Sequence, residues 1–291
     1  MKPLIVAAFF IIAAVQISCS QKQAKQSTNQ QKKISDQGVN IAYTDNGKGD
    51  TTLLFVHGWC INKSYWANQV GYFGKKYRVV TIDLPGFGQS GKNRSVWNAI
   101  TYGRDVDSVI SQLNLKNVVL IGHSMAGDIV LEAAVNAREK VIGLVGVDNF
   151  KNVNDAVPSK KDTADYEQAI NQLKHNFKQT ASQYFNQDLF YKTTADSIKK
   201  RILADVAKAD SVIATACMQM NDFDEVKKLI ASKKKLYLIN SDVTLTNSTE
   251  LRANKIPYQI KFIHAVGHFP MVEKPEEFNK ALGEIIADLR N

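Results

Sequence analysis

The sequence predicts a doubly wound α/β domain: a mostly parallel sheet with helices on both faces, interrupted by one all-helical insertion. Short, mostly apolar, β-rich runs recur along the chain. Such runs suit strands buried on both faces. Segments with apolar residues at helical spacing alternate with them, as a doubly wound sheet requires. One stretch, residues 151–232, breaks the alternation and holds no convincing strand.

The strands can be placed in order. Val39 to Tyr43 reads as the first, with the Asn46-Gly47 turn signal after it. Thr52 to Val56, Arg78 to Ile82, Val118 to Ile121 and Ile142 to Val147 follow. Leu236 to Ile239 and Gln259 to Ile263 complete the set. Val106, Val109, Ile110 and Leu113 mark one helix. Phe278, Leu282, Ile285, Ile286 and Leu289 mark the last, after Pro275 at a first turn. Within the insertion, Ala164 to Phe177, Thr194 to Ala207 and Ser211 to Met220 are expected helices. The chain therefore divides into a core of residues 36–150 and 233–291 and a helical cap of residues 151–232.

The first residues are not expected to be part of the fold. Lys2 precedes a continuous apolar run, Leu4 to Val15, too short to span a bilayer comfortably. It ends at Gln16-Ile17-Ser18-Cys19, which reads as an export signal over residues 1–18. A Cys just after the run resembles the lipobox of bacterial lipoproteins, although Gln16 stands where Leu, Val or Ile is usual. That resemblance implies lipid on Cys19. The protein is then expected to be exported to the cell envelope and anchored to a membrane, with a periplasmic or secreted protein as the alternative. Ser20 to Lys33 holds no large apolar residue and cannot repay the entropy of folding, so residues 19–35 read as a flexible tether.

Of the 291 residues, 44% are apolar, enough for one sizeable core plus an inserted subdomain. The net charge is +9. Its lysines are scattered in short groups, and no zinc-finger, RNP or basic-zipper pattern is present, so no nucleic-acid partner is expected. The cysteines beyond Cys19, Cys60 and Cys217, have no framework spacing and read as buried free thiols.

The chemistry centres on Gly122-His123-Ser124-Met125-Ala126-Gly127, where an apolar strand turns sharply into a helix. A side chain at such a turn points out of the sheet, and the crowded backbone demands small neighbours. The new helix brings free N–H groups and partial positive charge, which favour a developing oxyanion. A second run, Leu53 to Trp59, is a buried strand ending in His57-Gly58. A third, Asp83-Leu-Pro-Gly-Phe-Gly-Gln-Ser90, is a tight loop after a strand. A fourth, Ala265-Val-Gly-His268, lies after the last strand and before the last helix.

Together these segments resemble the α/β-hydrolase fold family over residues 39–289, with the insertion matched loosely. The elbow resembles the family's Gly-x-Ser-x-Gly, with Ala126 where Gly is usual. The resemblance implies Ser124 as nucleophile and His268 as base. It implies that the backbone N–H groups of Trp59 and Met125 form an oxyanion hole. His57 and Asp83 would be structural. Asp242, just after the strand that follows the cap, is the expected acid by chain order, with Asp148 one strand earlier as the alternative. Asp222 and Asp224 lie in the insertion and are weaker candidates. His264 is the competitor of His268. No metal or cofactor is expected.

The expected activity is hydrolysis of a carboxylic ester, or related acyl bond, of a small apolar substrate through an acyl-enzyme. Carbon–carbon, lactone or amide hydrolysis, or ligand binding without turnover, are the alternatives.

Overall fold

The computed structural model describes residues 32–153, 160–219 and 223–289. The export signal, Cys19 and the tether up to residue 31 lie outside the described residues. Eight strands form one sheet in the order β1-β2-β4-β3-β5-β6-β7-β8. They are β1 (Lys32–Asp36), β2 (Val39–Asp45), β3 (Thr52–Val56), β4 (Arg78–Ile82), β5 (Val118–His123), β6 (Val141–Val147), β7 (Leu236–Ser241) and β8 (Tyr258–Ile263). The pairs β1–β2 and β2–β4 are antiparallel, and all others are parallel.

The apolar runs account for this. Every residue of β3, β5 and β7 is buried, as strands covered on both faces must be. The hairpin partner β1 has only a half-buried Ile34 and Asp36 among exposed residues. Residues 32–35 were expected in the tether. They instead close the sheet's antiparallel edge, with Ile34 opposite Ile41.

Ten helices are described: α1 (Ala67–Phe73), α2 (Ala99–Gln112), α3 (Ala126–Asn136), α4 (Lys160–Tyr184), α5 (Asp196–Val206), α6 (Ser211–Cys217), α7 (Glu225–Ser232), α8 (Thr249–Ala253), α9 (Pro270–Glu273) and α10 (Pro275–Asp288). Asn98 starts α2 by accepting the Thr101 N–H, and Pro275 opens α10 at its first turn.

Helices α4 to α6 make the cap, with non-helical backbone at Asn176 breaking α4. Helix α5 reaches the loop after β3. Tyr65 Oη donates to Asp205 at 2.9 Å, and the Arg201 guanidinium lies 4.2 Å from the Tyr65 ring centroid. Helix α7, in the stretch read as insertion, packs on α3 and pairs Lys228 with Glu132. It therefore belongs to the layer of helices over the sheet. A sequence pattern states that a helix has an apolar face but not which neighbour covers it.

Candidate active site

Strand β5 ends at His123, and α3 begins at Ala126. Ser124 takes up the reversal with φ +53°, a left-handed conformation that non-glycine residues rarely adopt. Its neighbours enforce the turn. The Ser124 N–H donates to Val147 O at 2.9 Å, and Gly127 N–H donates to Ser124 O at 2.8 Å. A Cβ at Gly122 would come within 2.4 Å of Ala126 O, so only glycine fits there. Ala126 is fully buried in helical backbone, and the departure from the usual Gly leaves the elbow intact.

Trp59 and Met125 both lie next to Ser124 in the chain or in space. Trp59 follows Gly58, whose built Cβ would lie 3.0 Å from Ser124 Cβ, so the two loops touch. Met125 immediately precedes α3, where N–H groups are free of intrahelical partners. The Trp59 indole is fixed by Nε1–H donation to Ala214 O at 2.8 Å and by stacking on Phe185 at 5.8 Å. Phe177 and Tyr184 meet its edge. Several cap aromatics thus hold the cap onto the loop after β3.

His268 lies in the loop between β8 and α9. Its N–H donates to Leu189 O at 2.8 Å, and its carbonyl accepts His123 Nε2–H at 2.7 Å. The His123 and His268 rings are 4.7 Å apart, which brings His268 beside the elbow. Its Nδ1 lies 2.5 Å from Asp148 Oδ2. Asp148, at φ +49° just past β6, is therefore the carboxylate on His268.

This corrects the expectation for Asp242. Strand β7 runs on to Ser241, and Asp242 leaves the sheet beyond it, with a side chain 37% exposed against 2% for Asp148. Asp242 binds the other candidate base, His264, at 3.0 Å, and accepts the Ala265 N–H. Asp224 accepts Lys227 N–H as the cap of α7. Asp222 lies outside the described residues.

The Asp148 carboxylate is fully partnered. Oδ1 accepts the Ser241 N–H at 2.7 Å and faces Lys151 Nζ at 2.9 Å. Burial opposes its charge, but the hydrogen bond and charge of His268, and then the charge of Lys151, outweigh burial and hold the carboxyl well below the usual range. Sequence reasoning passed over Lys151. Its place three residues after Asp148 gains meaning only once Asp148 is seen to lie on His268.

His57 and Asp83 tie neighbouring loops together by hydrogen bonds. His57 Nδ1–H donates to Gly58 O at 2.7 Å, and Nε2 accepts the Leu84 N–H at 3.0 Å. Asp83 is buried and accepts the N–H groups of Lys63 and Gln89.

Both buried rings next to the site are held neutral. Burial lowers the pKa of His57. Burial and then the charge of His268 push His123 down to about 3. An unfolded histidine gains its proton near pH 6.5, so each ring destabilises the fold as pH falls below that value. Each contributes at most about 1.4 kcal/mol per pH unit. The melting temperature is therefore expected to start falling below pH 6.5, above the range in which carboxylates protonate. Thermal melts from pH 7.5 to 4.5 check this; a flat Tm down to pH 5 would show that neither ring is held neutral.

The chain is similar to known proteins. The family model of the alpha/beta hydrolase fold matches residues 51–199. A pimeloyl-acyl-carrier-protein methyl ester esterase from Aliivibrio salmonicida is 24% identical over 258 residues, covering 82% of this chain and 93% of the relative. An uncharacterised hydrolase from Bacillus subtilis is 35% identical over 104 residues, covering 35% of this chain and 38% of the relative. The first curated relatives are matched over 38%, 58% and 29% of their own lengths, so the chain spans less than two thirds of each. Among solved structures, an esterase from Thermogutta terrifontis superposes with a TM-score of 0.76 at 22% identity, over 90% of this chain and all of that one. At that identity the likeness shows the fold.

Proposed function

Since the chain belongs to the α/β-hydrolase fold family, we propose that it is a serine hydrolase of carboxylic esters, with Ser124 as nucleophile, His268 as base and Asp148 as acid. The observation that carries this reading is the 2.5 Å contact between His268 Nδ1 and Asp148, on a ring packed beside the elbow that displays Ser124. The esterases among the similar proteins support the ester as the bond.

In this mechanism the Asp148 carboxylate accepts a hydrogen bond from His268 Nδ1–H, which holds the tautomer that keeps a lone pair on Nε2. Nε2 takes the Ser124 hydroxyl proton as Oγ attacks the ester carbonyl carbon. The carbonyl oxygen, now negative, accepts hydrogen bonds from the Trp59 and Met125 N–H groups at the positive end of α3. On collapse the C–O bond to the alcohol breaks, and His268 returns its proton to the departing oxygen. Water, deprotonated by the same ring, then releases the acid from Ser124.

The test is covalent labelling. Incubation with a fluorophosphonate should add one adduct to the wild-type protein, read by intact mass, and none to Ser124→Ala. A folded wild type that takes no adduct would favour a ligand-binding protein on this fold. The sequence up to Cys19 supports the further proposal that the domain is exported and held at a membrane by lipid on that thiol; mass analysis of the mature N-terminus tests it.

A further inference from the structure

We infer that Lys151 is a positioning residue that sets the working pH of the site by opposing a second positive charge on the Asp148–His268 pair. The inference rests on the triad reading above.

Lys151 is built into the site. Its side chain is 11% exposed, and its Nζ lies 2.9 Å from Asp148 Oδ1, the oxygen that His268 does not use. Nζ also lies 3.4 Å from both the carbonyl and the hydroxyl oxygen of Ser241. The backbone is pinned as well, with Asn247 N–H donating to Lys151 O at 2.6 Å and Asn152 bridging to Asn247. A buried pair held at both ends is screened far less than a surface one.

One carboxylate therefore serves two bases. When His268 takes a proton, its positive charge meets that of Lys151 across the same carboxylate. Among the described residues, the other titratable groups around the ring do not oppose that charge in the same way. His123 from β5 is neutral. Glu273 from α9 accepts the Gly267 N–H and the Thr194 hydroxyl. Tyr184 and Asp188 come from the cap, with Tyr184 kept as a neutral phenol by burial and by the nearby carboxylates. His57 is neutral behind the elbow. Asp242 and His264 pair with each other. Lys151 is the cation of this set, and it keeps the imidazole neutral, and so able to accept the serine proton, to lower pH than Asp148 alone would allow.

The sign is fixed. Removing the Lys151 charge favours the imidazolium, so the acid limb of the activity profile moves to higher pH. The experiment is the second-order rate of Ser124 labelling by a fluorophosphonate from pH 4 to 9, on wild type, Lys151→Met, Lys151→Gln and Lys151→Arg. The expected result is an upward shift of the acid limb by about one pH unit in the Met and Gln variants, and the wild-type limb in Arg. Either neutral variant suffices should the other fail to fold. An unmoved limb in a folded neutral variant, with rates lowered equally at every pH, would overturn the inference and leave Lys151 a structural residue. A wild type that is not labelled, or a label that persists in Ser124→Ala, would instead overturn the triad reading.

Discussion

Replacing Asp148 with Asn should slow acylation of Ser124 by about 10³- to 10⁴-fold, whereas Asp242→Asn should leave the rate close to wild type. The hydrogen bonds at the carboxylate explain the size of the first effect. Asp148 Oδ1 accepts from the Ser241 N–H and faces the Lys151 ammonium, so whatever atom replaces it must also be an acceptor. In the Asp148→Asn variant the amide oxygen takes that place, and the NH₂ group turns to His268 Nδ1. Nδ1 must then accept, the ring proton moves to Nε2, and no lone pair is left for the serine hydroxyl. Asp242 holds the exposed His264 and one backbone N–H, an arrangement of small energetic weight. Labelling rates for both variants, with melting temperatures to confirm folding, check the pair of outcomes. A large loss in Asp242→Asn with a mild one in Asp148→Asn would move the acid to β7.

The elbow was legible because its geometry restricts composition. A positive-φ serine with a carbonyl packed against Gly122 tolerates few sequences, and the local run displays the restriction. The inner strands were legible because burial on both faces leaves mostly apolar residues. The acid was not legible in the same way. Asp148 and Asp242 both follow a core strand, and what separates them is tertiary. Strand β6 lies directly beside β5, so that Val147 O meets the Ser124 N–H and the next residue reaches the base. Strand β1 escaped notice for a different reason. Lys32 to Asp36 carries a single aliphatic side chain, and only pairing with β2 makes it a strand. Lys151 could be read as a surface lysine until the fold set it against the buried Asp148.

Gly267→Ala should cause the second large loss, through the attachment of the cap to the base. A Cβ at Gly267 would lie 2.5 Å from Leu189 O and 2.8 Å from Tyr191 N, both backbone atoms of the cap. Neither can yield as a flexible side-chain end would, so the two segments must part. Leu189 O is the acceptor of the His268 N–H, and Glu273 ties Gly267 N–H to the Thr194 hydroxyl on the same cap segment. The methyl group would therefore break the contact that sets the base in place. Overpacking of this kind costs about 1–3 kcal/mol, or a fall in Tm of about 2–10 °C in a domain of this size. A base displaced by about 1 Å costs about 10²-fold in rate. Gly283→Ala is the matching control, because a Cβ there meets nothing within 4 Å and sits inside α10. It should raise stability by about 0.5–1 kcal/mol and leave labelling unchanged. Should Gly267→Ala melt lower yet label at the wild-type rate, the cap would be a cover that moves independently of His268. The expected loss in both measurements would instead make the cap a structural part of the catalytic apparatus, fixing the base as well as roofing the site.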